Sequence, residues 1–253
     1  MIGQYIFTSS LREFFRFKRI AWWLAIILAV FGISWTFSHK VPGISAHDAY
    51  ILLSASLVFR ILPLCAAIYS MAVINQEVSQ RTIVYLLTRP IPRWKLLIFR
   101  TLAAMVVVSV ITALTDIAVS FAVSGSQRTL LYHDLGAIVA GSAAYVALFT
   151  LVSLFVNKPM VPCLLFAFVW ETAVPDMPGD LYRLSISGYL TSIAHRPTME
   201  FKNGALDALA GLLGVNVISS TAAWAGMIGF TLFCLAFGAY WFRTFEYIAR
   251  EDD

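Results

Sequence analysis

Charge is what this sequence has least of. Aspartate, glutamate, lysine and arginine make up 13% of its 253 residues, where a soluble domain carries about a quarter. Hydrophobic types fill 60%, and mean hydropathy is +0.80. So little polar surface cannot cover a water-facing core, which excludes an ordinary soluble domain. Catalytic signatures are missing too. No Gly-Lys pair occurs anywhere, so no G-x-x-x-x-G-K-[ST] loop is present to cradle nucleotide phosphates. H-E-x-x-H and G-x-S-x-G are also absent. Cys65, Cys163 and Cys234 stand singly in apolar runs, form no C-x-x-C pair, and read as small packing residues. His39, His47, His133 and His195 follow no ligand spacing, so no metal site is expected. The net charge of +4 is no footprint of nucleic acid, because basic residues in so apolar a chain report membrane orientation.

What the chain has instead is apolar runs of membrane length. A helix crossing the hydrocarbon needs about 20 apolar residues. Runs of that kind lie at about 20–37, 51–74, 96–123, 135–156 and 221–242, with a shorter one at 160–174 that "PDMPGD" terminates. The expectation is an all-α integral membrane protein of one domain with six spans. The first run follows Arg12, Arg16, Lys18 and Arg19, as a signal peptide would. It is too long for one and lacks a small-x-small cleavage site, so it reads as an uncleaved span.

Six crossings put both termini on one side, and the charges choose it. With the termini inside, inner segments hold Arg12, Arg16, Lys18, Arg19, Arg81, Arg89, Arg93, Lys95, Arg100, Lys158, Arg243 and Arg250. Outer segments hold only Lys40, Arg128, Arg183, Arg196 and Lys202. That asymmetry follows the positive-inside rule, and Trp22, Trp23, Trp94 and Trp241 fall at the inner rim. Residues 8–19, "TSSLREFFRFKR", set Leu11, Phe14 and Phe15 on one stripe and Arg12, Arg16 and Arg19 on another, which fits an interfacial helix. Residues 175–220 form an outer region. In it "GALDALAGLLGVNVI" is too short to span, and reads as re-entrant or interfacial.

Residues 75–100, "NQEVSQRTIVYLLTRPIPRWKLLIFR", are the most charged stretch between two spans. "QEVSQRTIVYLLT" reads as a helix, and Pro90 ends it because Arg89 before a proline is pushed from the α region. "PIP" makes a stiff corner before the third span. Glu77, Arg81, Thr82, Leu86, Leu87, Thr88, Arg89, Pro90, Ile91, Arg93, Trp94 and Lys95 resemble the stretch after the second span in permeases of the ABC-2 type transporter family. The layout of interfacial helix, six spans and outer region is similar as well. Two departures stand out. Arg81 occupies a place where family members often carry glycine, and 175–220 is longer than a minimal re-entrant turn.

This resemblance implies a permease subunit of an ABC transporter in a bacterial or archaeal plasma membrane. It implies a cytoplasmic coupling helix at 75–95 that docks on a separate ATPase through Glu77, Arg81, Thr82, Arg89 and Arg93. It further implies two ATPase copies holding ATP and Mg, a second identical or homologous permease, and export as the direction. The residues alone leave another reading open: an ATP-independent carrier or scaffold, in which the arginines only anchor a loop.

Three charges fall inside the expected spans: Arg60, Asp116 and Glu171. Each costs roughly 2.5–3.5 kcal/mol on insertion scales, so such groups face protein or water. At ~1.5 Å per residue, all three reach one level in the outer half. The plainer expectation is an Arg60–Asp116 pair joining the second and third spans. The sharper one is a polar path or outer gate, with Glu171 its foremost member.

Overall fold

A computed structural model describes residues 2–15, 17–40, 45–79, 93–123, 128–156, 158–174, 183–196 and 218–244. Among them every regular element is helical. In chain order they are α1 (Ile2–Phe14), α2 (Phe17–Lys40), α3 (Ala46–Leu53), a π-turn at Ser54–Val58, α4 (Phe59–Ser79), α5 (Arg93–Ala122) and α6 (Arg128–Phe155). There follow α7 (Met160–Leu165), a second π-turn at Phe166–Trp170, α8 (Glu171–Ala173), α9 (Ile186–Ile193) and α10 (Ser220–Thr244).

Five stretches are long and apolar enough to cross a membrane: Arg19–Lys40, Ala46–Val73, Trp94–Ala122, Thr129–Phe155 and Ser220–Thr244. The expected fifth span is the shorter apolar helix Met160–Ala173, about 21 Å long at ~1.5 Å per residue against a hydrocarbon layer of about 30 Å. Among the described residues the expectation of six spans thus meets five helices of crossing length and one shorter apolar helix.

The helix expected at the interface also differs in its bounds. It begins at Ile2 and stops at Phe14, and α2 starts afresh at Phe17. Ile6, Ser10 and Phe14, four apart, are its buried stripe. Gly3 lets the α1 backbone lie on α5, since a Cβ there would sit 2.5 Å from the Phe99 ring. Phe14 meets Tyr69 edge-on at 5.6 Å, and Trp23 stacks on Tyr69 at 6.2 Å, so one tyrosine of α4 anchors both α1 and α2.

Helices α4, α5 and α6 make the centre and pack on one another. The α6 span is 67% buried, whereas the α2 span is 17% buried and α10 22%. The reason is side-chain size. Ala66, Ala67, Ala103, Ala104, Ala137, Ala144 and Ala147 are buried at the contacts and let the backbones approach. Ser70 of α4 donates to the Val146 carbonyl of α6 at 3.2 Å, a polar tie between the two. Bulky residues of α2 and α10, such as Trp22, Leu28, Leu232 and Phe233, are left exposed, as a lipid-facing surface would be.

Two features interrupt the second long helix. The π-turn at Ser54–Val58 inserts one extra residue, and Pro63 inside α4 removes the donor that would meet the Phe59 carbonyl. Ser45 caps the start, accepting from the Asp48 amide at 3.1 Å.

Gly141 of α6 is the tightest contact in the centre. A Cβ there would lie 2.9 Å from Leu190 Cδ2 and 3.3 Å from Leu62 Cδ2. Gly141→Val is expected to cost about 1–3 kcal/mol through overpacking. Gly229 of α10, with nothing within 4 Å, is the control. Thermal unfolding in detergent should show a lower midpoint for Gly141→Val and none for Gly229→Ala.

Candidate functional site: two buried polar clusters

The first cluster forms where α5 ends and α6 begins. Tyr50 of α3 places its hydroxyl 2.9 Å from Asp134 Oδ2 and 3.1 Å from Asp116 Oδ1, so one phenol serves carboxylates of two other helices. Asp116 is 0% exposed and Asp134 1%. The cation facing them comes from far along the chain. After α9 the backbone turns through His195 at φ 50, and Arg196 then points back into the bundle. Its Nη2 lies 2.8 Å and its Nε 3.4 Å from the two oxygens of Asp134. Nη2 also donates to Ser54 Oγ at 2.6 Å and Nη1 to the Ile51 carbonyl at 3.3 Å. Phe59 covers the guanidinium plane at 4.3 Å. This two-pronged geometry suits arginine and would not suit lysine.

The π-turn explains why Ser54 and Ile51 are at hand. Within it Ser54 bonds back to the Tyr50 carbonyl at 2.8 Å, which keeps its Oγ at the arginine. The rings of His133 and His195, neighbours in sequence of Asp134 and Arg196, lie tilted against each other with centroids 4.5 Å apart. Among the described residues no group of three or more metal-ligating side chains occurs.

Glu171 builds the second cluster. Buried at 7%, it accepts from Ser185 Oγ at 2.8 Å, the Ile186 amide at 3.1 Å and the Ser187 amide at 2.9 Å. It therefore caps the start of α9 from outside that helix, where orphan amides favour a negative group. Tyr145 of α6 lies against the same carboxylate, and Arg60 lies within electrostatic reach of that tyrosine. A third polar contact lies toward the α1 end. Arg100 donates to the Val73 carbonyl at 3.3 Å and lies 3.9 Å from Glu13, joining α5, α4 and α1.

The structure thus separates the three charges expected inside the spans. Asp116 belongs to the first cluster and Glu171 to the second. The Arg60–Asp116 pair does not form: Asp116 bonds Tyr50, its facing cation is Arg196, and Arg60 is exposed on α4. Tyr50, Asp134 and Arg196 were not singled out by sequence. Tyr50 and Asp134 each stand one residue before an expected span. Arg196 reads as an ordinary loop cation until the turn at His195 is seen. Of the expected docking residues, Arg81, Thr82 and Arg89 lie outside the described residues. Glu77 and Arg93 are described in backbone only, near the end of α4 and at the start of α5.

Long apolar helices around buried charge define a polytopic helical membrane protein. Comparison with family models gives a match to the ABC-2 family transporter protein model over residues 10–159, more than half of the chain. The chain belongs to that family, whose members are permease components of ABC transporters and associate with an ABC ATPase. No curated protein matches it.

Removing one partner of a buried ion pair leaves an uncompensated charge and costs about 3–5 kcal/mol. Arg196→Ala and Asp134→Ala should each lower the thermal midpoint strongly in detergent. The double variant Arg196→Met with Asp134→Leu should recover part of the loss. Equal loss in single and double variants would show that the pair itself is not what the outer turn depends on.

Proposed function

We propose that this chain forms half of the translocation path of an ATP-driven exporter. In this reading two copies, or one copy and a homologous permease, stand on two copies of a separate ATPase that binds ATP and Mg. Both termini and residues 75–95 lie in the cytoplasm of a bacterial or archaeal cell, and Met160–Val174 completes six spans with help from the outer region. The observation that carries the reading is the family match, because it runs through residues 75–100 and both helices that flank them.

The mechanics fit that assignment. Closure of two soluble ATPase subunits has to push on a membrane helix. The sequence reads as a short charged helix followed by a stiff corner at Arg89-Pro90-Ile91-Pro92-Arg93, an arrangement that would transmit the push. Glu77, Arg81, Thr82, Arg89 and Arg93 supply the docking contacts. At the near end, Arg100 ties α5 to the Val73 carbonyl of α4 and to Glu13 of α1. The legs of the segment are therefore joined to each other and to the interfacial helix.

Reversing charge at both Glu77 and Arg81 should weaken docking by about 2–5 kcal/mol. Co-purification of the co-expressed ATPase should then fall at least about tenfold, while the permease still inserts. The solubilised complex should hydrolyse ATP and the permease alone should not. Undiminished co-purification of the double variant would overturn docking at this segment. A permease that purifies only as a lone monomer would favour an ATP-independent carrier or scaffold.

A further inference from the structure

Arg60 is left over from both clusters. It lies fourteen residues from Ala46 and thirteen from Val73, the ends of its span, or about 21 Å and about 20 Å at ~1.5 Å per residue. With a hydrocarbon layer of about 30 Å, that is close to mid-membrane and too deep for its side chain to snorkel to a headgroup. Yet its side chain is exposed on the protein surface.

No carboxylate among the described residues forms an ion pair with it. Asp116 and Asp134 are held by Tyr50 and Arg196. Both oxygens of Glu171 are taken by Ser185, Ile186 and Ser187. Among the described residues no hydrogen bond or ion pair of Arg60 is formed, and it lies within electrostatic reach of Tyr145. A cation left in lipid costs several kcal/mol, so a persistent one faces protein or water. Ser56 is exposed one turn earlier and Tyr145 lies within electrostatic reach, while Leu52 and Ile68, about two turns away on either side, are exposed and apolar. Two π-turns flank this level, one just before Arg60 and one just before Glu171, and π-turns are frequent at functional sites.

We propose that Arg60 lines the water-filled translocation path and grips cargo by an anionic oxygen group, a carboxylate, phosphate or sulfate. Guanidinium is the side chain best matched to such groups, through paired N–H donors. The proposal rests on the transporter reading for its path, and on exposure, depth and the lack of an ion pair among the described residues for its charge. The anion arrives from the bilayer, as a lipid headgroup, or from water.

The test uses the complex of permease and ATPase in phosphatidylcholine nanodiscs. Arg60→Cys is made with Cys65, Cys163 and Cys234 replaced by alanine. The introduced thiol should react with water-soluble sulfonatoethyl methanethiosulfonate. Reaction with membrane-permeant N-ethylmaleimide alone would put Arg60 against lipid and overturn the proposal. ATP hydrolysis is then followed with hexyl phosphate in solution, with phosphatidylglycerol in the bilayer, and with hexyltrimethylammonium as the cationic control. A charged hydrogen bond of about 1.5–3 kcal/mol predicts a half-maximal concentration about 10- to 100-fold higher in Arg60→Gln, with Arg60→Lys between. Elution profiles in detergent confirm that each variant folds. An effect of phosphatidylglycerol alone, or of hexyl phosphate alone, supports the site and names its source. Equal responses of Arg60→Gln and the parent chain would overturn the anion. Absence of all ATP hydrolysis would sink the exporter reading instead, and the thiol labelling would still decide whether Arg60 faces water.

Discussion

A charge in hydrocarbon must be met by protein or by water, and the far end of this bundle is organised by that demand. Arg196 and Asp134, with side chains 5% and 2% exposed, meet at 2.8 Å. Neither could be left alone there without a cost of several kcal/mol. Their surroundings complete the satisfaction. Ser54 and the Ile51 carbonyl take the remaining guanidinium donors, Tyr50 serves both carboxylates, and Phe59 closes one face. Because these groups come from α3, the π-turn, α4, α5, α6 and the turn after α9, one ion pair fixes the mutual position of six pieces of chain. Packing of small residues could bring α4, α5 and α6 together. It could not by itself choose where the turn at His195 lands, since apolar contact is not directional.

Helix α9 shows the consequence. Its start is capped by Glu171, and the residue that follows its terminal turn is clamped by Asp134. Eight residues long, it could not stand alone in water. Held at both ends and packed on α6 and α10, it becomes a strut across the end of the bundle. The two carboxylates act by different means: Glu171 through backbone amides at a helix start, Asp134 through a paired cation. Breaking either would free one end while the other stayed attached.

Hydropathy made the long helices legible, because a membrane span is an average property and survives trimming at its ends. Trimming also hid the site. The expected spans begin at Ile51 and Leu135, just past Tyr50 and Asp134, since a polar residue lowers the average wherever it falls. The partners of those residues are far away in sequence: Tyr50 meets Asp134 across 84 positions and Arg196 meets Asp134 across 62. No periodicity reports such a pairing. Residue counting put Arg60 and Asp116 at one depth, yet they do not pair. Which face each turned depended on the π-turn at Ser54–Val58, which shifts the register of its helix by a residue. Nothing in "SASLV" announces that shift. The short run at 160–174 was legible as short, yet its length is what keeps it from counting as a sixth crossing helix. The break at Phe15 was missed because the basic residues on either side read as one amphipathic stripe.

The two helices that leave residues 80–92 are unequal in stiffness. Helix α5 runs from Arg93 to Ala122 with neither proline nor π-turn. Asp116 sits twenty-three residues along it, about 35 Å at ~1.5 Å per residue. Helix α4 carries Pro63 and begins at a π-turn, so its hydrogen-bond ladder is interrupted below the same cluster. A push entering at 80–92 would pass up α5 as along a rod and reach Tyr50 through Asp116. Along α4 the same push would meet a joint between Ser54 and Pro63, and Arg60 lies inside that joint. A rod and a jointed arm driven from one point cannot move alike. Their difference in motion would be largest where they are tied again, at the ion pair. Under the proposed coupling, the ion pair would stand where unequal movements of the two helices have to be reconciled.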